Sequence, residues 1–229
     1  MERMPAYEGV LDVGAEVSPA AEYTPREELV HTISHGLGFV AAVIGLVALL
    51  AASSERGTAS DIVGVGIFGI TLTFLYASST LYHGLPESAS KNIMRKLDHI
   101  AIYLLISGTY TPFVLTKMQN SRGWAILILI WVLAVVGIVL ELVGNGRKRR
   151  TSLALYLAMG WLAVFAVEPL LETLAPAGVT LLVLGGVVYS VGIIFYAWRR
   201  LPYGHAVWHG FVLGGSALHF TAVIGFVVP

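Results

Sequence analysis

Two histidines four residues apart, His205 and His209, open the last apolar stretch of the chain, GHAVWHGFVLGGSALHF (204–220). On a helix this spacing sets both imidazoles on one face, one turn apart. Such a pair suits a transition metal, zinc most commonly. Near a helix end it can instead anchor the interface or bond open helix termini. Further donors at the same level would decide for the metal. The chain has no cysteine, so thiolate sites and disulfides are excluded, and zinc would need His, carboxylate or water.

The elements that must position these residues are membrane helices. Of 229 residues, 56% are hydrophobic and only 12% charged, and the formal net charge is zero. Mean hydropathy is +0.78. These values exclude an ordinary soluble domain and give no bulk attraction for nucleic acid, so none is expected as a partner. Residues 1–27 are polar and acidic, with no apolar run after a basic start. They are expected to form a disordered cytoplasmic tail rather than a signal peptide. Seven apolar stretches follow, near 29–52, 61–83, 97–115, 124–143, 152–171, 179–198 and 205–227. Each is long enough to cross a hydrocarbon core of ~30 Å. Backbone groups in lipid must bond within their own segment, so the expectation is an all-α, seven-helix integral membrane bundle over residues 28–229. The glycines inside the spans (Gly64, Gly66, Gly69, Gly185, Gly186, Gly214, Gly215) read as sites of close helix packing.

Charge sets the expected orientation. Eleven Lys and Arg residues fall on the side of the N-terminus, including the run Arg147, Lys148, Arg149 and Arg150, against three on the other side (Arg56, Lys117, Arg122). The N-terminus is therefore expected in the cytoplasm and the C-terminus outside, in the inner (plasma) membrane. That topology brings His31 and His35 of the first span, His83 at the end of the second, Asp98 and His99 at the start of the third, and His205 and His209 of the seventh to one leaflet. His219 stands apart, about 20 Å higher at 1.5 Å per residue. His83, His205 and His209 would then supply three nitrogens, the pattern of a catalytic zinc with water in the fourth position. Ser79 lies one turn from His83 on the same face. Asp98, an ionisable group at the membrane edge, could orient that water or act as its base.

Plainer roles compete. Asp98 could pair with Lys96 or Arg95, and Ser79 could bond back to its own helix. His31, His35 and His99 read as interfacial or packing residues rather than ligands. Glu141 reads as the end of the fourth span beside the basic loop, and Glu168 as the outer end of the fifth. Tyr82, Trp124, Trp198, Tyr203 and Trp208 read as an aromatic belt.

Four segments carry a family likeness: EELVHTISHGLG (27–38), SSTLYHGL (78–85), KLDHIAIYLLISGTYTPF (96–113) and HAVWH (205–209). Together they resemble the bacterial hemolysin III proteins, within the progestin and adipoQ receptor family. The resemblance implies a seven-helix bundle with zinc on His83, His205 and His209, and with Ser79 and Asp98 around its water. The wider superfamily includes alkaline ceramidases. The expected function is therefore a zinc-dependent hydrolase of a lipid amide or ester, with membrane lipids as partners. The alternatives are a regulator of membrane lipid with structural zinc, and a pore-forming cytolysin.

Overall fold

A computed structural model of the protein describes residues 23–143, 149–198 and 200–228. Described residues form helices throughout: α1 (Pro25–Arg56), α2 (Ala59–Gly84), α3 (Ala89–Lys117), α4 (Ser121–Val143), α5 (Arg149–Trp161), a 3₁₀ turn (Leu162–Ala166), α6 (Val167–Thr173), α7 (Pro176–Ala197) and α8 (Gly204–Phe226). Seven spans are long and apolar enough to cross a membrane; the fifth comprises α5, the 3₁₀ turn and α6.

Local chemistry explains the ends. The Thr24 hydroxyl accepts from the Glu27 amide (3.3 Å) and the Glu27 carboxylate from the Thr24 amide (3.0 Å). With Pro25 in the first turn, this reciprocal cap starts α1 inside the stretch read above as tail. Thr58 and Asp61 repeat the device at α2. The tail residues 1–22 and the loop residues 144–148, which include Arg147 and Lys148, lie outside the described residues.

The break in the fifth span is a feature that hydropathy does not register. The Tyr110 hydroxyl of α3 lies 2.8 Å from the Met159 carbonyl oxygen and 2.9 Å from that of Gly160. It thereby serves carbonyls at the end of α5, where the 3₁₀ turn interrupts the regular ladder.

In the most apolar windows of α2 and α3, 61% and 56% of residues are buried, against 17–33% in the other spans, so these two helices form the centre. α1 packs against α2 and α8, α4 against α3, and α7 against α8. The outer faces of α1 and α4 expose Leu37, Ile44, Ile128 and Val135, as lipid-facing surfaces do. A polar tie joins α2, α7 and α8: the Tyr76 hydroxyl donates to Ser216 Oγ (2.9 Å), and Tyr189 Oη lies 2.8 Å from the same oxygen.

The expected close packing is present at Gly64, Gly69, Gly185 and Gly215 but not at Gly186, where a Cβ would meet nothing within 4 Å; at Gly64 the neighbour is the proline backbone of α3. A Cβ on Gly64 would lie 2.9 Å from Pro112 Cα, a backbone atom that cannot rotate aside. Gly64→Val is therefore expected to destabilise the bundle by about 1–3 kcal/mol, measured as a lower melting temperature in detergent. An unchanged melting temperature would mean that α2 and α3 can part here freely.

Candidate metal and hydrolytic site

Three helices each present a pair of side chains one turn apart at the end of the bundle that holds the N-terminus of α1. They are His31 and His35 on α1, Ser79 and His83 on α2, and His205 and His209 on α8. The start of α8 is fixed to that of α1 by its own turn. Tyr203 adopts the left-handed conformation (φ 56°), and its amide donates to Glu27 Oε1 (3.1 Å). The capping glutamate of α1 thus also sets where His205 begins.

Four imidazoles converge. The ring centroids of His31, His83, His205 and His209 lie between 4.5 and 5.3 Å from one another. His83 Nε2 and His205 Nε2 face each other at 3.2 Å. One nitrogen each from His31, His83 and His205 falls within 4.8 Å of the other two. His35 stacks on His209 with centroids 3.4 Å apart and planes 9° from parallel. Tyr23 packs edge-on against His31 at 4.9 Å.

The second nitrogens of these rings are bound in part. His209 Nδ1 lies 3.0 Å from Ser34 Oγ, His83 Nδ1 lies 2.6 Å from Glu28 Oε2, and His35 Nδ1 lies 2.7 Å from Ser79 Oγ. His31 is fully buried: its Nε2 has no hydrogen-bond partner, nor has His35 Nε2, and its Nδ1 only approaches Glu28 Oε2, at 3.8 Å. A buried polar nitrogen without a partner is costly and uncommon. A cation among these rings would answer it. A cluster of imidazoles without thiolate suits zinc, copper, iron or nickel, so the donor set fits a metal.

Beside the cluster lies a polar cavity of about 200 Å³ lined by Ser79, Asp98, His205 and His209 among others. Asp98 is within interaction range of Ser79, and among the described residues no Lys or Arg forms an ion pair with it. Of the expected site residues, Ser79, Asp98, His205 and His209 thus share one chamber, while His83 sits behind it in the ring cluster.

Several plainer readings change. Ser79 does not bond back to its helix; its neighbour Ser78 does, to the Leu75 carbonyl (3.0 Å). His31 and His35 are not interfacial, because α1 turns both into the cluster, at 0% and 3% exposure. His99 and Glu141 bind each other across α3 and α4 at 2.8 Å, on the wall of the polar cavity. Glu168 pairs with Arg122 at 2.6 Å on the exposed surface. Trp124, Trp198 and Tyr203 are exposed as belt residues should be, but Tyr82 is buried and Trp208 lines the cavities. Glu28 received no role from the sequence, yet it contacts His83 directly. The available signal was its position three residues before His31 and seven before His35, on the same helical face.

A second cavity, also about 200 Å³ and almost wholly apolar, lies among α3, the broken fifth span, α7 and α8. The two chambers share Leu75, Ile102, Tyr156, Trp208 and Val212 as wall residues. The apolar one is bordered by Trp161, Val164 and Val183, which are 42%, 55% and 47% exposed, so it opens sideways toward lipid. His219 lines this apolar chamber, its Nε2 3.1 Å from the Leu182 carbonyl oxygen.

Compared with known proteins, residues 23–220 match the family described as "Haemolysin-III related". The chain belongs to this family. It is 45% identical over 206 residues to the hemolysin-3 homolog of Bacillus subtilis (strain 168), covering 90% of this chain and 97% of that one. It is 43% identical over 204 residues to hemolysin-3 of Bacillus cereus, covering 89% and 93%. The human monocyte to macrophage differentiation factor is 26% identical over 212 residues, covering 87% and 84%, and extends the likeness to the wider progestin and adipoQ receptor family. The chain is thus a haemolysin-III related, multi-pass membrane protein with a buried histidine cluster able to hold a metal ion.

Proposed function

We propose that this haemolysin-III related protein is a zinc-dependent hydrolase of a lipid amide or ester, set in the plasma membrane with its histidine end toward the cytoplasm. The observation that carries the reading is the meeting of two chambers. The polar one holds Ser79, Asp98, His205 and His209; the apolar one opens to lipid and shares five wall residues with it. A lipid entering past Trp161 and Val183 would bring its acyl chain into the apolar chamber and its carbonyl to the polar one.

Zinc held by His83, His205 and His209 would supply an acidified water and polarise the substrate carbonyl. Asp98 would accept the proton of the attacking water and return it to the departing amine or alcohol, so that the lipid leaves as a free fatty acid and that amine or alcohol. With His35 donating from Nδ1, the Ser79 hydroxyl proton is available to Asp98, so Ser79 orients the carboxylate that faces the attacking water. His209 is preferred to His31 as the third ligand because it lines that chamber and His31 does not.

A second reading has its own observation. The three nitrogens drawn closest together belong to His31, His83 and His205. A metal on that set would tie α1, α2 and α8 together away from Asp98, the arrangement of a structural metal in a regulator of membrane lipid.

Zinc-loaded protein in liposomes tests the choice. Release of fatty acid from ceramide, an N-acyl amide or a phospholipid is the expected result. Release of trapped dye without lipid turnover would favour a pore, and neither release would favour the regulator.

A further inference from the structure

The ring cluster has a carboxylate behind it that the hydrolytic scheme does not use. Glu28, in the first turn of α1, spends its two oxygens on different helices. Oε2 lies 2.6 Å from His83 Nδ1 and Oε1 lies 2.7 Å from Lys91 Nζ. Lys91 is itself buried, and its ammonium also donates to the Leu85 carbonyl (3.0 Å) and lies 3.6 Å from Glu87.

The pairing has a chemical consequence. An ionised carboxylate only accepts hydrogen bonds, so at 2.6 Å the proton between the two groups belongs to His83 Nδ1. In the neutral ring that assignment leaves Nε2 as a bare lone pair. Nε2 is the atom that faces His205 Nε2 at 3.2 Å in the centre of the cluster. A carboxylate on the far nitrogen of a metal-ligating histidine fixes its tautomer and ring angle and makes it a stronger donor. Lys91 pairs with the other carboxylate oxygen and holds the group in place, in a part of the protein where an unpaired charge would be costly.

We propose that Glu28 is the positioning residue of the metal centre. It holds His83 with Nε2 turned toward the metal and is itself held by Lys91. This rests on the metal reading above. It adds α1 to the machinery through a residue that touches neither substrate nor metal.

The test is metal affinity in the full-length protein purified in detergent, by competition of zinc against a chelator, with the absorption spectrum of the cobalt-substituted form as a second readout. Glu28→Gln keeps the size and removes the charge. It is expected to weaken zinc binding by about 10–100-fold and to change the cobalt spectrum. Glu28→Asp keeps the charge and should retain more affinity than Glu28→Gln. Lys91→Met should weaken binding less than Glu28→Gln does. If Glu28→Gln fails to fold, Glu28→Asp and Lys91→Met carry the test, and affinities equal to wild type in both would overturn the proposal. Equal zinc affinity and an unchanged cobalt spectrum in Glu28→Gln would overturn it while leaving the metal centre standing. A wild-type protein that takes up neither zinc nor cobalt would overturn both.

Discussion

Purified protein is expected to contain about one zinc per chain, and His205→Ala is expected to lose it. His205 belongs to both ligand sets that the cluster can form, with His83 and His209 or with His31 and His83, so removing it leaves two nitrogens in either case. The loss of affinity should exceed the ~10–100-fold that follows from removing only a supporting hydrogen bond to a ligand. Elemental analysis of the purified variants reads the outcome directly. His219→Ala is the control: its ring lies in the apolar chamber against the Leu182 carbonyl and should leave zinc content unchanged. The comparison of His209→Ala with His31→Ala then separates the two readings of function. Zinc lost with His209 and kept without His31 puts the metal in the chamber with Asp98 and Ser79. The reverse puts it among α1, α2 and α8, where it would only brace the bundle.

Asp98→Asn is expected to lower lipid turnover by ~10²–10⁴-fold, the range supplied by a positioned general base, while most of the zinc remains bound. The amide keeps the shape of the carboxylate but cannot take the proton. The variant has two other informative results. Unchanged turnover would remove Asp98 from the chemistry. Zinc lost together with turnover would make Asp98 a metal ligand. Ser79 and His35 line the same chamber as Asp98 but on other helices, so a general collapse of the site would also disturb the stacked His35 and His209 pair. Wild-type-like melting of the apo variant is therefore the accompanying control.

The relation between chain and fold differs from residue to residue. His83, His205 and His209 were legible because each sits at a predictable depth. The order of the apolar segments and the rise per residue set the level of a side chain in the membrane, and they separate His219 from the rest in the same way. His31 and His35 lie at that same level, but their role depended on the rotation of α1 about its axis. That rotation follows from how α1 packs on α2 and α8, which hydropathy does not encode, because most of α1 faces lipid and is apolar all round. Glu28 was lost for a related reason. In sequence it directly follows an acidic stretch, and its hydrogen-bond partners His83 and Lys91 lie 55 and 63 residues away.

The break in the fifth span was equally hidden. A 3₁₀ turn and an α-helix of the same residues have the same hydropathy, and the hydroxyl that serves the carbonyls at the break, that of Tyr110, comes from another helix. The sequence by itself determined the seven spans and the level of each histidine, because the cost of polar backbone in lipid acts on every residue locally. Which histidine nitrogens face one another, and that the polar chamber adjoins an apolar one open to lipid, was decided by tertiary packing, because the azimuth of a helix is set by the helices that touch it.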